Sequence, residues 1–338
     1  MITCKVRKPV TSDCQNTSIF KESTFYKMQQ EFFHQPVLAD QVVEYLVTKR
    51  DGIYVDCTAG GGGHAELILK RINKNGILIC LDADPDALGY IEKRLETYSN
   101  KILRNTYFDQ LDIVLIEENL MPVSGFLFDL GLSSYQIDNL KRGFSFQGEG
   151  PLDMRFNPRQ KLSAYDVVNN YPVESLQRIF REYGEVRKWR RVTDKIVEAR
   201  HSGVIKTTGQ LARIVSLGAH TNYHQKFLAR IFQAIRIEVN NELNRLRKAL
   251  EKAYQCLLQQ GRIVVISYHS LEDRIVKDFF RLKATDCVCP PDFPKCVCGK
   301  EAEMRILSRK AIRPSIMEIE MNPRSRSARL RYAEKIIL

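Results

Sequence analysis

Gly52-Ile-Tyr-Val-Asp-Cys-Thr-Ala-Gly-Gly-Gly-Gly-His64 is the stretch on which the fold turns. Ile53 to Val55 read as a short buried strand, and Asp56 stands where that strand ends. Four consecutive glycines, Gly60 to Gly63, precede a helix-forming run from Ala65 to Ile72. Strand, glycine turn and helix make the first unit of a nucleotide-binding α/β sheet. Glycine suits the turn because the backbone must bend sharply and admit a ligand with no Cβ in the way. Gly76-Ile-Leu-Ile-Cys-Leu-Asp82 then gives a second strand with an acidic end, eighteen residues past His64. A carboxylate there can accept hydrogen bonds from both hydroxyls of a ribose. Gly60-x-Gly62-x-x-Ala65 also fits the dinucleotide fingerprint, so a nicotinamide dehydrogenase and a ligand-free structural turn both stay open at this point.

Working outward, Asp84-Pro85 opens the next helix, with Asp84 as N-cap and Pro85 at the first helical position. Ile102 to Arg104 is a short strand, Asp109 caps a helix over residues 110–118, and Val123 to Leu130 is a fourth strand ending on Asp129. The βαβαβαβ order predicts a parallel sheet. From Gly143 to Tyr223 no strong strand occurs, and helices are expected near 163–170, 173–183, 188–201 and 208–217. Phe227 to Leu258 has the apolar spacing of one long helix facing the sheet, terminated by Gly261. Arg262 to Tyr268 is a fifth strand, and Ser270 caps the helix after it. Met304 to Lys310 and Ala328 to Ile336 are further strands, with a capping box at Ser315-Ile-Met-Glu318 between them. A parallel sheet finishing on a strand pair favours the methyltransferase form of the doubly wound sheet over the dehydrogenase form.

The 338 residues suit two domains, or one with a large insertion, and a hydrophobic share of 44% is enough for a real core. No run approaches the roughly 20 apolar residues of a membrane span, and residues 1–20 lack a secretory core. Residues 1–30 read as a flexible extension, with Met28 an alternative start. Nine Cys, with Cys57 and Cys80 inside core strands, point to a reducing compartment and hence the cytoplasm. A net charge of +12 fits either a generic basic protein or one with a polyanionic partner, most simply nucleic acid. Cys287-x-Cys289 and Cys296-x-Cys298 supply four thiolates within twelve residues. A tetrahedral zinc site and a Pro-rich loop of reduced Cys are both compatible with them.

Asp129-Leu-Gly-Leu-Ser-Ser-Tyr-Gln136, Arg142-Gly-Phe-Ser-Phe and Gly150-Pro-Leu-Asp-Met-Arg155 resemble the bacterial 16S ribosomal RNA cytosine-N4 methyltransferases, the RsmH (MraW) family. His34-x-Pro36-Val37, Gly61-Gly-Gly-His64, Phe232 to Asn240, Ser267 to Lys277 and Asn322 to Arg331 match in the same order. The resemblance covers about residues 32–338. Tyr135 stands where the family usually has proline, and Ala59 and Gly61 vary the glycine loop. The resemblance implies a doubly wound, Rossmann-like class I methyltransferase with S-adenosylmethionine as cofactor. Residues 31–142 and 224–338 would form that domain, and 143–223 an inserted helical RNA-recognition domain. Gly62, Gly63 and His64 would hold the methionine end, Asp82 the ribose and Phe108 the adenine, with Asp129 and Gln136 completing the pocket. The partner implied is 16S ribosomal RNA within the small subunit, in its decoding region, with no membrane and with a homodimer compatible.

The implied chemistry is methyl transfer to the exocyclic N4 of cytosine. That lone pair is delocalised into the ring, so the enzyme must hold N4 in line with the methyl and offer an acceptor for its proton. Asp129, or a neighbouring carbonyl, is the candidate catalytic group, and no Cys nucleophile or metal is required. The target base must leave its stack. Arg324, Arg326, Arg329 and Arg331 are candidates for phosphate contact. His269 faces either the substrate or the core. A methyltransferase for DNA or a small molecule, and a non-catalytic RNA-binding assembly factor, are the competing classes.

Overall fold

Strands β1 (Ile53–Asp56), β2 (Ile77–Asp82), β3 (Lys101–Asn105), β4 (Val123–Asp129) and β5 (Leu257–Ser267) pair in parallel. β7 (Arg329–Lys335) runs antiparallel to both β5 and β6 (Met304–Ile306), and lies between them. The sheet order is β3-β2-β1-β4-β5-β7-β6, the doubly wound class I methyltransferase arrangement. The computed structural model describes residues 36–336 apart from 217–221 and 291–294. The extension expected at 1–30, Met28, His34 and the expected helix end at Leu217 lie outside the described residues.

Helices α1 (Ala39–Leu46), α2 (Gly63–Arg71), α3 (Pro85–Arg94) and α4 (Leu111–Glu117) alternate with the first strands. After β4 come α5 (Ser134–Asp138), α6 (Ala164–Asn170), α7 (Val173–Glu182), α8 (Trp189–Ser202), α9 (Thr208–Val215) and α10 (Asn222–Asn240). α11 (Glu242–Cys256) leads into β5, α12 (Ser270–Ala284) follows it, and α13 (Ile316–Met321) precedes β7. Among the described residues no helix is long and apolar enough to cross a membrane.

The central strands β1, β2 and β4 are buried on both faces, as a parallel sheet with helices on each side requires. Their side chains alternate between two cores. Tyr54, Leu78, Cys80, Leu127, Val264 and Ile266 pack with α1, α2 and α3. Val55, Ile79, Leu81, Phe126, Phe128 and Val265 pack with α4, α11 and α12. Full burial of one Leu, Ile or Phe is worth about 1.5–3 kcal/mol, so a one-residue register slip in any central strand is prohibitive. A further apolar cluster joins Phe144, Leu152, Val168, Ile179, Ile196 and Leu211 to Leu228, Ile231, Ile235 and Val239 of α10.

That last cluster corrects one expectation. The long helix over 227–258 is two helices, broken where Asn241 adopts a left-handed φ of 51°. Only the second, with Leu246 and Leu250, faces the sheet. The apolar spacing runs on through the break, but asparagine tolerates the left-handed turn. The neighbouring Asn240 side chain accepts from the Phe156 N–H at 2.8 Å and donates to the Met154 carbonyl at 2.8 Å.

Smaller corrections concern caps and ends. Asp109 does not cap α4; it is buried and takes the Arg245 guanidinium at 2.6 Å. His269, not Ser270, caps α12, in a capping box with Glu272. Gly261 lies inside β5 rather than at a helix end, following Gln260 at φ 63°. β6 stops at Ile306, short of Lys310. Ser315 does cap α13, but Glu318 spends its carboxylate on the Leu38 N–H at 2.7 Å instead of closing a capping box.

Candidate active site

The strand order reverses between β1 and β4, and a crevice at such a switch point is where open α/β sheets bind ligands. Asp56, Asp82 and Asp129 end the three strands that meet there. The loop from Cys57 to Gly62 crosses this end of the sheet before α2. Gly60 and Gly62 take positive φ, 49° and 74°, which a side chain would strain. A Cβ at Gly63 would press on the Pro36 ring at 3.2 Å, which ties the Pro36-Val37 motif to the loop. Arg94 holds the loop from outside, donating to the Gly61 carbonyl at 2.8 Å while paired with Glu66.

Asp82 fastens the loop from inside. One carboxylate oxygen accepts from the Gly60 N–H and the other from the Asp84 N–H, both at 2.8 Å. Burial pushes the Asp82 carboxyl up to about 6, against the lowering effect of those two N–H groups. Each oxygen keeps a second lone pair, the acceptors that two ribose hydroxyls require.

Asp56 and His64 carry buried polar atoms that make no hydrogen bond among the described residues. Asp56 Oδ1 accepts from the Thr58 N–H at 3.2 Å, while its Oδ2 and both ring nitrogens of His64 have no hydrogen bond among the described residues. Asp56 is 1% exposed and His64 6%. Buried polar groups almost always find hydrogen-bond partners, so such a concentration of unbonded polar atoms marks a place where a ligand or water belongs. Burial pushes the Asp56 carboxyl up to about 7, with His64 opposing and Asp129 and Asp82 adding to the rise. His64 Nε2 lies 3.4 Å from Asp129 Oδ2.

Asp129 is positioned on three sides. Its N–H donates to Thr58 Oγ1 at 2.7 Å, and its Oδ1 accepts from the Tyr268 hydroxyl at 3.0 Å. Burial, and then the Asp129 charge, push the Tyr268 phenol well above its ordinary range, so it stays a donor. The arrangement leaves Oδ2 on the His64 side of the crevice.

Phe108 begins a single 3₁₀ turn after β3 and meets Phe128 edge to face, with centroids 6.0 Å apart. Gln136 is buried in α5, accepting from Ser133 N–H at 3.1 Å and donating to Asp84 Oδ2 at 3.1 Å. Its amide therefore braces Asp84. Arg142 reaches the same Asp84 oxygen at 2.6 Å, and donates to the Arg155 and Phe156 carbonyls at 3.0 and 2.9 Å. A fully buried carboxylate thus joins the end of β2 to the loops leading into the helical layer.

The four C-terminal arginines are mostly engaged within the chain. Arg329 and Arg331 share Asp273, at 3.0 and 2.7 Å, and Arg324 pairs with Asp138 at 2.5 Å. Arg326 is exposed. Asp84 was legible only as a helix cap, and Arg142 and Tyr268 only as parts of family motifs. Their partners lie 58 and 139 residues away, and no local pattern identifies them.

A family model described as the MraW methylase family matches residues 31–336. A Halothermothrix orenii protein named ribosomal RNA small subunit methyltransferase H is 46% identical over 307 residues, covering 90% of this chain and 99% of its own. A Caldicellulosiruptor bescii protein of the same name is 47% identical over 312 residues, covering 90% and 100%. The crystal structure of an rRNA methylase from Streptococcus thermophilus aligns with a TM-score of 0.41 and 13% identity, covering 88% of this chain and 94% of that one.

Proposed function

Because the chain belongs to the MraW methylase family, whose members are methyltransferases using S-adenosylmethionine, we propose that it methylates N4 of one cytidine in the decoding region of 16S ribosomal RNA. The observation that carries the site is the set of buried atoms on Asp56 and His64 that make no hydrogen bond among the described residues, between two further strand-end carboxylates. Three acids in one crevice favour a cation, and S-adenosylmethionine is cationic at both its sulfonium and its ammonium. The first turn of α2 offers backbone N–H groups that no helix carbonyl can satisfy, and these suit the methionine carboxylate. Gly62 and Gly63 keep that approach open, and His64 sits beside it. Asp82 takes the ribose hydroxyls, Phe108 offers a ring to the adenine, and Gln136 holds Asp84 beneath them.

The cofactor supplies an electrophilic methyl group on a sulfonium. The protein must then orient the base and remove one proton. Asp129 is the acceptor, with Tyr268 fixing one carboxylate oxygen and the other turned to the crevice. Drawing an N4 proton toward that oxygen localises the lone pair for attack, and holding N4 in line supplies much of the rate. The target base is extruded to reach this depth.

Residues 143–223 form the RNA-recognition domain on this reading, coupled to the pocket through Arg142. Arg326, and Arg324 once it exchanges Asp138 for phosphate, add a salt-sensitive footprint that does not depend on sequence. Discrimination then comes from the shape of the small subunit, and the enzyme works in the cytoplasm on that particle.

Methyl incorporation from labelled cofactor into assembled small subunits, deproteinised ribosomal RNA and a short oligonucleotide tests the reading at physiological salt. The subunit is expected to be the preferred substrate, with all label recovered as N4-methylcytidine after nucleoside digestion. Label in another nucleoside sinks the assignment. No incorporation by a protein that binds the cofactor would identify an assembly factor. An oligonucleotide methylated as fast as the subunit removes the role given to residues 143–223.

A further inference from the structure

The loop between α12 and β6 brings Cys287, Cys289, Cys296 and Cys298 together, with the four sulfurs all within 4.8 Å of one another. We propose that these four thiolates bind one structural zinc ion. Zinc at about 2.3 Å from each of four tetrahedral sulfurs sets a sulfur–sulfur edge of about 3.8 Å. The Cys296–Cys298 and Cys287–Cys298 separations are 3.6 and 3.9 Å. A disulfide would need about 2.05 Å, and all four are free thiols. Thiolates divided between the irons of a cluster would spread farther apart than this.

The backbone supports the same assignment. The Val288 N–H donates to Cys298 Sγ and the Val297 N–H to Cys289 Sγ, each at 3.4 Å. Each Cys-x-Cys pair therefore offers its middle N–H to a sulfur of the opposite pair. Cys289 N–H adds a bond to Cys287 Sγ at 3.4 Å. Hydrogen bonds of this kind orient thiolate ligands and offset the negative charge of a four-thiolate site. Alternation within each pair turns both sulfurs toward the opposite pair and leaves Val288 and Val297 56% and 72% exposed. Soft thiolates in a tetrahedron select zinc over harder divalent cations.

Glu303 closes the neck of the loop. Its N–H donates to the Lys283 carbonyl at 2.7 Å, and its carboxylate pairs with Lys283 and Lys300, both at 3.0 Å. α12 starts at Ser270, beside the crevice, and its 15 residues span about 22 Å. The Cys loop lies beyond its far end, so the metal holds a fold element together and takes no part in methyl transfer.

Full-length protein purified under reducing, chelator-free conditions should carry one zinc per chain by plasma mass spectrometry. The double variant Cys287→Ser, Cys298→Ser removes one ligand from each pair and should lose at least tenfold of that content. Cobalt(II) added to the metal-free wild type should give the ligand-field bands of tetrahedral thiolate coordination. Less than a tenth of an equivalent of zinc, persisting after incubation with zinc sulfate and desalting, overturns the proposal. So does stoichiometric iron, or two disulfides in the reduced preparation. The wild-type measurements stand whether or not the variant folds.

Discussion

Asp56 offers a direct physical test of the crevice. Its folded carboxyl titrates at about 7 and its unfolded one at 3.8, chiefly because burial disfavours the charge. The folded state therefore holds the proton more tightly than the unfolded state. Stability attributable to this group is highest below pH 4, falls as the pH rises to about 7, and is flat above that. A carboxyl held about three pH units too high, at about 1.36 kcal/mol per unit, costs the cofactor-free protein about 4 kcal/mol at pH 8. Asp56→Asn removes the charge and keeps the oxygen that accepts from Thr58 N–H. Its amide N–H groups replace the orphaned Oδ2 and lack an assured acceptor, which costs about 1 kcal/mol. The variant should therefore be more stable than the wild type by about 3 kcal/mol at pH 8, and no more stable at pH 4. Urea unfolding of both proteins at pH 4.5, 6 and 8, without cofactor, measures the difference. A gap that stays constant with pH, or a variant less stable at pH 8, would show that Asp56 is not a strained buried acid and that the anionic crevice is misread.

Asp82→Ala removes an acceptor of charge-assisted hydrogen bonds, each worth about 1.5–3 kcal/mol, and should weaken S-adenosylmethionine binding at least tenfold in calorimetry. An unchanged affinity in a folded variant ends that assignment; in the wild type, affinity should also fall as the pH drops through about 6, where Asp82 protonates. Asp84→Ala and Arg142→Met each strand a buried charge and should each cost about 3–5 kcal/mol of stability, while the double variant should cost little more than the worse single one. Additive losses across that cycle would mean that the two side chains are not one unit.

What the sequence made legible was local. The glycine loop, the acidic strand ends and the Asp84-Pro85 cap depend on residues within a few positions of one another, and the structure holds them as read. Alternation along β4 and β5 likewise follows from adjacent side chains that face opposite cores. Asn241 was invisible because the apolar spacing continues across it, and the break is set by how Asn240 bonds to a loop 84 and 86 residues upstream. The second acceptor at Asp84, and the clamp of Tyr268 on Asp129, arise only once distant strands are side by side. The arginines near the C-terminus are candidates for phosphate contact in the sequence because Asp273, which neutralises Arg329 and Arg331, lies 56 and 58 residues upstream of them, on α12.

The antiparallel β7 lies between β5 and β6 and shields both of their inner edges. It is synthesised about sixty residues after β5. At about 5–20 residues per second, a ribosome takes roughly 3–12 seconds to cover that distance. Throughout that interval the nascent chain presents the unpaired backbone of β5 along one side, a template on which another strand can add. A chaperone that shelters this edge, or a pause in elongation before Arg329, would therefore govern how much of the product reaches its native state.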